Sequence, residues 1–259
     1  MTKIMLAVIF IFLLGGLFLS QVSTNSSIPG KVKTIRFATD ATYPPFEYVD
    51  DTGNMKGYDI DIANALCTQM QAQCEFTNSS FEKLIPALNA RKYDAIIATV
   101  GISDMRRNEL KFTNVNYNPS LSYLAPMEKH YNAGDIIGKN IGVVKGSTFE
   151  SYLKNKYRKD VIAKPYDTIN DALTDLQAGH VDMVLGDTIA IKYWLSQGSN
   201  SKTFGVIVGP VINNQYFGSG FGIGVRQNDN ESLNAINKAL IEIKVNGMYN
   251  KITRKYFGG

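Results

Sequence analysis

Three patterns of apolar and polar positions divide the chain. Residues Ile4 to Leu19 are almost wholly apolar, broken only by Gly15 and Gly16, and a polar stretch from Ser20 to Lys33 follows. From Thr34 onward, short apolar runs alternate with stretches of helical spacing. Thr34–Thr39 and Cys74–Thr77 predict strands, and the nearly continuous apolar run Tyr93–Thr99 predicts a strand covered on both faces. Between them, Ile62, Leu66 and Met70 mark one face of a helix that starts near Tyr58. Ser79 and Glu82 have capping-box spacing ahead of Leu84, Ile85 and Leu88.

The second half has its own series. Asn140–Val144 predicts a strand. Ser147 caps the next helix with Glu150 at the third position, and a turn at Lys164–Asp167 leads to a helix over Thr168–Ala178. Val181–Leu185 is another strand, and Asp187 starts a helix that ends before Gly198. Gly218, Gly220, Gly222 and Gly224 then alternate with Ser219, Phe221, Ile223 and Val225. That spacing predicts a strand with an all-glycine face, which something must approach closely. Helices near Glu231–Val245 and Met248–Tyr256 finish the chain.

One segment recurs at an offset of 88 without gaps: Leu88, Ala90 and Asp94 fall in register with Leu176, Ala178 and Asp182. Each copy is a helix end, a tight turn and a buried strand. Alternation of this kind predicts an α/β fold with mainly parallel strands, and the repeat predicts two similar lobes.

The apolar N-terminal run follows Lys3 and spans about 16 residues, short of the roughly 20 that cross a bilayer. It is read as a secretory signal over residues 1–24, with a permanent anchor as the alternative. No Cys occurs before Cys67, so a lipid-anchored N-terminal cysteine is not expected. Export permits a disulfide, and Cys67 and Cys74 are the only cysteines. A helix through both would hold their Cα atoms roughly 10 Å apart, beyond the about 7 Å a disulfide tolerates. A bond therefore requires the helix to end near Met70–Ala72. Two free buried thiols are the alternative.

The formal charge is +4, from 27 Lys and Arg against 23 Asp and Glu, and it falls to +3 when residues 1–24, which include Lys3 and no acid, are removed. That balance is too weak and scattered for nucleic-acid binding. Two His and two Cys make a zinc site built from them unexpected, and no Ser or Cys nucleophile has an evident basic partner. No cofactor is expected.

The candidate chemistry follows strand ends, where ligands bind in open α/β sheets. Asp40 and Tyr43, in a loop stiffened by Pro44 and Pro45, offer a carboxylate and a ring face to a cation; a structural turn is the alternative. Thr99 with nearby backbone N–H groups can hold a carboxylate, and Arg106 or Arg107 can close on it in two-pronged fashion. An arginine pair on a solvated helix is the alternative there. Gly146–Thr148 at a helix start is a second anion or amide site. Asp187 is either a ligand group or a simple N-cap.

At these residues the sequence resembles the polar-amino-acid-binding proteins of bacterial ABC uptake systems, the type II periplasmic binding proteins. The segments that carry the resemblance are Phe37–Glu47, Gly57–Asp61, Phe81–Leu88, Asp104–Arg107, Gly146–Thr148, Leu185–Thr188 and Lys255–Phe257, in order across residues 33–257. The pattern is most similar to the arginine-binding and lysine/arginine/ornithine- or histidine-binding members. Cys67 and Cys74 are similar to the disulfide of that group.

The resemblance implies two lobes, 30–118 with 217–259 and 122–212, joined by hinges near Asn116–Ser122 and Pro210–Gly220. It implies that Tyr43 and Phe81 sandwich the ligand stem and that Asp40 receives a cationic head. Arg106 would hold the α-carboxylate with Thr99 and the backbone of Gly101 and Thr148. Asp187 would hold the α-ammonium, and Ala98 would offer its carbonyl. Two departures stand out: relatives often carry Ser at the positions of Thr99 and Gly101, and Phe149 stands where some carry Gln. The expected function is a soluble, monomeric periplasmic receptor that passes arginine to the permease of an ABC importer. The rivals are lysine, ornithine, histidine or glutamine on the same scaffold, or an enzyme like the cyclohexadienyl or arogenate dehydratases, with Glu47 or Glu150 as its acid.

Overall fold

A computed structural model of the chain describes residues 33–132, 134–211 and 219–258. The expected signal over residues 1–24 and most of the second expected crossing lie outside these residues. In chain order the first elements are β1 (Lys33–Thr39), β2 (Thr42–Tyr43), β3 (Glu47–Val49), β4 (Met55–Lys56), α1 (Tyr58–Gln69), β5 (Ala72–Asn78) and α2 (Phe81–Asn89). They continue as β6 (Ala95–Ile96), α3 (Asp104–Arg107), β7 (Leu110–Phe112) and β8 (Leu121–Pro126). Then come β9 (Asn140–Val144), α4 (Thr148–Tyr152), β10 (Ile162–Tyr166), α5 (Ile169–Gln177), β11 (Met183–Asp187) and α6 (Thr188–Leu195). The last are β12 (Phe204–Val211), β13 (Gly224–Arg226), α7 (Asn230–Val245) and α8 (Met248–Phe257).

Two five-stranded sheets result, ordered β5-β1-β6-β13-β7 and β10-β9-β11-β8-β12. In both, the first three strands are parallel and the fourth runs antiparallel to its neighbours. The antiparallel strand is in each case the one reached after the chain crosses from the other sheet: β8 in the second, β13 in the first. The fold is that of the type II periplasmic binding proteins, α/β with helices on mainly parallel sheets.

The internal repeat has a physical role. Asp94 Oδ2 accepts the Arg36 N–H at 3.0 Å and Asp182 Oδ2 accepts the Asn140 N–H at 2.9 Å. In return the Asp94 and Asp182 N–H groups donate to the carbonyls of Arg36 and Asn140, both at 2.8 Å. Each aspartate thus sets the register of a central strand. The turns before them need positive φ, met by Arg91 at 59° and Gly179 at 76°.

The cysteines form a disulfide with Cα atoms 5.8 Å apart. The geometry allows it because α1 ends at Gln69, so Cys74 returns on β5. The glycine alternation is explained by close approach: a Cβ on Gly222 would lie 2.8 Å from Ile102 Cδ1, and one on Gly220 2.8 Å from the Tyr117 carbonyl oxygen. Tyr117 and Phe221, bridged to one another, bring the crossing segments onto a shared aromatic cluster with Phe46, Tyr58 and Phe257.

Four local expectations change. The glycine run expected as a strand over 218–225 is one only from Gly224, the start of β13, with Phe221 in isolated bridges; Gly218 lies outside the described residues. Lys164–Tyr166 is not a turn but part of β10, an edge strand, where Pro165 costs no ladder bond on its open side. The strand around Ala95 is shorter than Tyr93–Thr99, because Thr99 takes a left-handed φ of 46° that turns the chain into the cleft. Finally, α2 starts at Phe81 after Ser80 with no side-chain cap, so the Ser79–Glu82 box does not form.

Candidate ligand-binding site

The missing cap of α2 is replaced from another element. Asp40, just past β1, accepts the Phe81 N–H on Oδ2 at 3.0 Å and the Thr42 hydroxyl on Oδ1 at 2.9 Å. A carboxylate at a helix N-terminus is favoured by the dipole and by the unpaired N–H groups there. One aspartate therefore fixes both the loop carrying Tyr43 and the helix start carrying Phe81. Burial pushes the Asp40 carboxyl above its ordinary value, against the pull of these hydrogen bonds.

Between the sheets lies a narrow cavity. Asp40, Tyr43, Phe81, Thr99 and Arg106 line it from the first sheet and Thr148 from the second, all of them residues expected in the site. The wall also includes Thr42, Glu47, Val144, Ser147 and Phe149. Among these, Glu47 drew notice in the sequence as the acid of a rival enzyme, Phe149 as a departure from relatives and Ser147 as part of the Gly146–Thr148 anion or amide site. Glu47 could have been found from its place directly after the Pro44–Phe46 loop.

Arg106 sits in the last turn of α3, which Ser103 caps by accepting the Arg106 N–H. Its guanidinium donates through Nη1 to the Gly101 carbonyl at 3.2 Å and through Nη2 to the Gly146 carbonyl at 3.0 Å on the facing side. It also lies over the Phe81 ring, 5.2 Å from the centroid. Burial lowers it to about 10, so it stays charged at neutral pH. Gly101 is not on the cavity wall, and a Cβ there would come within 3.2 Å of the Thr148 side chain.

Asp187 ends β11 and caps α6, its Oδ1 accepting the Ile189 N–H at 2.7 Å. It is fully buried and its Oδ2 has no hydrogen-bond partner. It does not reach the cavity wall but sits behind Tyr43, whose hydroxyl accepts the Asp187 N–H at 3.0 Å. Burial pushes Asp187 up to about 7. The N-cap reading and a ligand-group reading therefore both fit it, one oxygen each. Ala98 is buried beside Thr99 and is not on the cavity wall.

A buried cleft between two sheets, holding one cation and several carboxyls, suits a small zwitterion with an extra positive charge. Residues 35–259 match the family of bacterial extracellular solute-binding proteins, family 3. The chain belongs to that family. It is a binding protein rather than an enzyme. It is 40% identical over 223 residues to ABC transporter arginine-binding protein 1 of Escherichia coli K12, covering 86% of this chain and 90% of that one. It is 36% identical over 245 residues to the lysine/arginine/ornithine-binding periplasmic protein of the same organism, covering 92% of both. A solved Salmonella typhimurium periplasmic binding protein of high arginine specificity superposes with a TM-score of 0.81 at 34% identity, covering 87% of this chain and all of that one. The family is extracellular, and among the described residues no helix is long and apolar enough to cross a membrane.

Proposed function

We propose that this family member is an exported periplasmic receptor for a basic amino acid, arginine foremost, which it hands to the permease of an ABC importer in the inner membrane. The observation that carries this reading is the charge arrangement of the cleft: one buried guanidinium, Arg106, and carboxyls of Asp40, Glu47 and Asp187 within or behind the same wall. Buried charges must be matched, and a cationic zwitterion matches this set. Arg106 takes the α-carboxylate with Thr99, Gly101 and Thr148. Asp187 takes the α-ammonium with the Ala98 carbonyl. Tyr43 and Phe81 enclose the stem, and Asp40 faces the head group. The lobes are 30–118 with 217–259 and 122–212, and they close on the ligand about the crossings near 116–122 and 210–220.

The protein acts as a monomer freed of residues 1–24 and without a lipid anchor. The relatives named for arginine support the substrate. A thermal-shift screen of the twenty amino acids with ornithine and citrulline tests it, since a tight ligand raises the transition by mass action. Arginine giving the largest shift is expected. A larger shift with histidine, lysine or glutamine moves the assignment along the same scaffold, and no shift with any of them overturns it.

A further inference from the structure

One buried acid in the cavity wall is given no ligand contact above. Glu47 opens β3 and is 1% exposed. Its Oε1 accepts the Thr99 hydroxyl at 3.3 Å, and its Oε2 has no hydrogen-bond partner among the described residues. Behind it, on the first turn of α1, stands Asp59, also 1% exposed. Asp59 Oδ2 accepts the Thr99 N–H at 2.9 Å and Oδ1 faces the Asn116 amide at 3.5 Å. Thr99 is thus held by two buried carboxyls, Glu47 on its hydroxyl and Asp59 on its N–H.

The charged and titratable groups around this pair do not neutralise it. Asp40, from the loop after β1, adds a further negative charge. Tyr43, from β2, presents a phenol that burial keeps neutral. Arg106, on α3, is committed to the carbonyls of Gly101 and Gly146. Asp187 lies across the cleft, behind Tyr43. Two buried carboxylates held on one residue without a cation cannot both stay ionised.

We propose that Glu47 is a specificity-determining residue of this site: it shares a proton with Asp59 in the ligand-free protein and exchanges that proton for the cationic side chain of the ligand. This rests on the functional reading above and deepens it. The balance is simple. The O–H bond of the carboxyl breaks, the proton leaves to the buffer, and N–H groups of the guanidinium take its place on a carboxylate. Burial first, and then the charge and proximity of Asp59, hold the Glu47 carboxyl well above the usual carboxylate range. Burial raises Asp59 only to about 6, since the Thr99 N–H supports its charged form. A neutral amide side chain needs no such exchange, because protonated Glu47 can donate to its carbonyl oxygen. Preference for arginine over a neutral amide analogue accordingly rises with pH.

Calorimetric titration of wild type and Glu47→Gln with arginine near pH 8, in phosphate and in Tris, counts the protons released. At that pH Asp187, at about 7, is already largely ionised and contributes little. Wild type is expected to release about one proton more than Glu47→Gln. Equal counts, or none in wild type, overturn the proposal. If Glu47→Gln does not fold, the infrared carbonyl band of a protonated carboxyl in wild type decides at the same pH: its loss on adding arginine supports the exchange and its persistence overturns it. Absence of saturable arginine binding is a separate result. It defeats the functional reading, and this inference with it.

Discussion

The Arg106 Nη2 donates to the Gly146 carbonyl at 3.0 Å, so one guanidinium spans from α3 to the loop that opens α4 on the facing sheet. Its other arm holds the Gly101 carbonyl, and its plane covers Phe81. Arg106 is therefore a strut between the sheets, and in the proposed site it is also the counter-charge for the ligand carboxylate. Arg106→Ala removes both and is expected to weaken arginine binding by about 2–5 kcal/mol, some thirty-fold to several thousand-fold in Kd. Arg106→Lys keeps the charge without the fork and falls between. Calorimetry on the two variants checks this, and wild-type affinity in Arg106→Ala would remove Arg106 from the site.

Asp40 allows two functions to be separated. Asp40→Asn keeps an oxygen for the Phe81 N–H but loses the charge, so the melting temperature stays close to wild type while preference for arginine over citrulline falls. Asp40→Ala also uncaps α2 and costs about 1 kcal/mol of stability. Melting curves and competition titrations distinguish the two. Undiminished preference in Asp40→Asn would show that the head group is held elsewhere.

The repeated helix–turn–strand unit was legible in the sequence because it is local. Asp94 and Asp182 each close a helix–turn–strand unit onto the nearest central strand, and the 88-residue offset exposes that device directly. The glycine face near Gly222 was legible for the same reason, since a run of missing side chains implies a close neighbour even when that neighbour, Ile102, is far away in sequence. The Glu47–Asp59 pair and the Asp40–Phe81 cap were not, because they join residues 12 and 41 positions apart through the folding of separate loops. Nor was β10, whose Pro165 has the composition of a turn and becomes a strand only because an edge demands pairing on one side.

Stability of the ligand-free protein should fall as pH rises from about 4 to about 7. The Asp187 carboxyl moves from an ordinary 3.8 up to about 7 on burial. Across that window the native protein binds more protons than the unfolded chain, and stability then declines with pH. Asp59, raised to about 6, acts in the same sense up to that pH. Carboxyls lowered on balance act below the window; in Asp94, burial opposes the shift and the Arg36 hydrogen bonds outweigh it. Urea unfolding between pH 4 and 8 measures the slope. Asp187→Asn should flatten it, and an unchanged slope in that variant would place the titrating group elsewhere.

Gly101 and Thr148 face one another from opposite sheets, and a methyl group on Gly101 would come within 3.2 Å of the Thr148 Cγ2 and Oγ1. That is tighter than ordinary van der Waals contact, so Thr148 must yield by a few tenths of an ångström or the sheets must part slightly. Because the pressure falls across the cleft and not within either sheet, Gly101→Ala should lower arginine affinity by about tenfold, roughly 1.4 kcal/mol, while leaving the ligand-free melting temperature nearly unchanged. Thr148→Ser removes the Cγ2 methyl and should restore part of the loss in the double variant, as expected for residues in direct contact. Melting curves without ligand, together with calorimetry on the two single variants and the double, test the pair. Strictly additive effects would show that the added methyl acts through something other than Thr148.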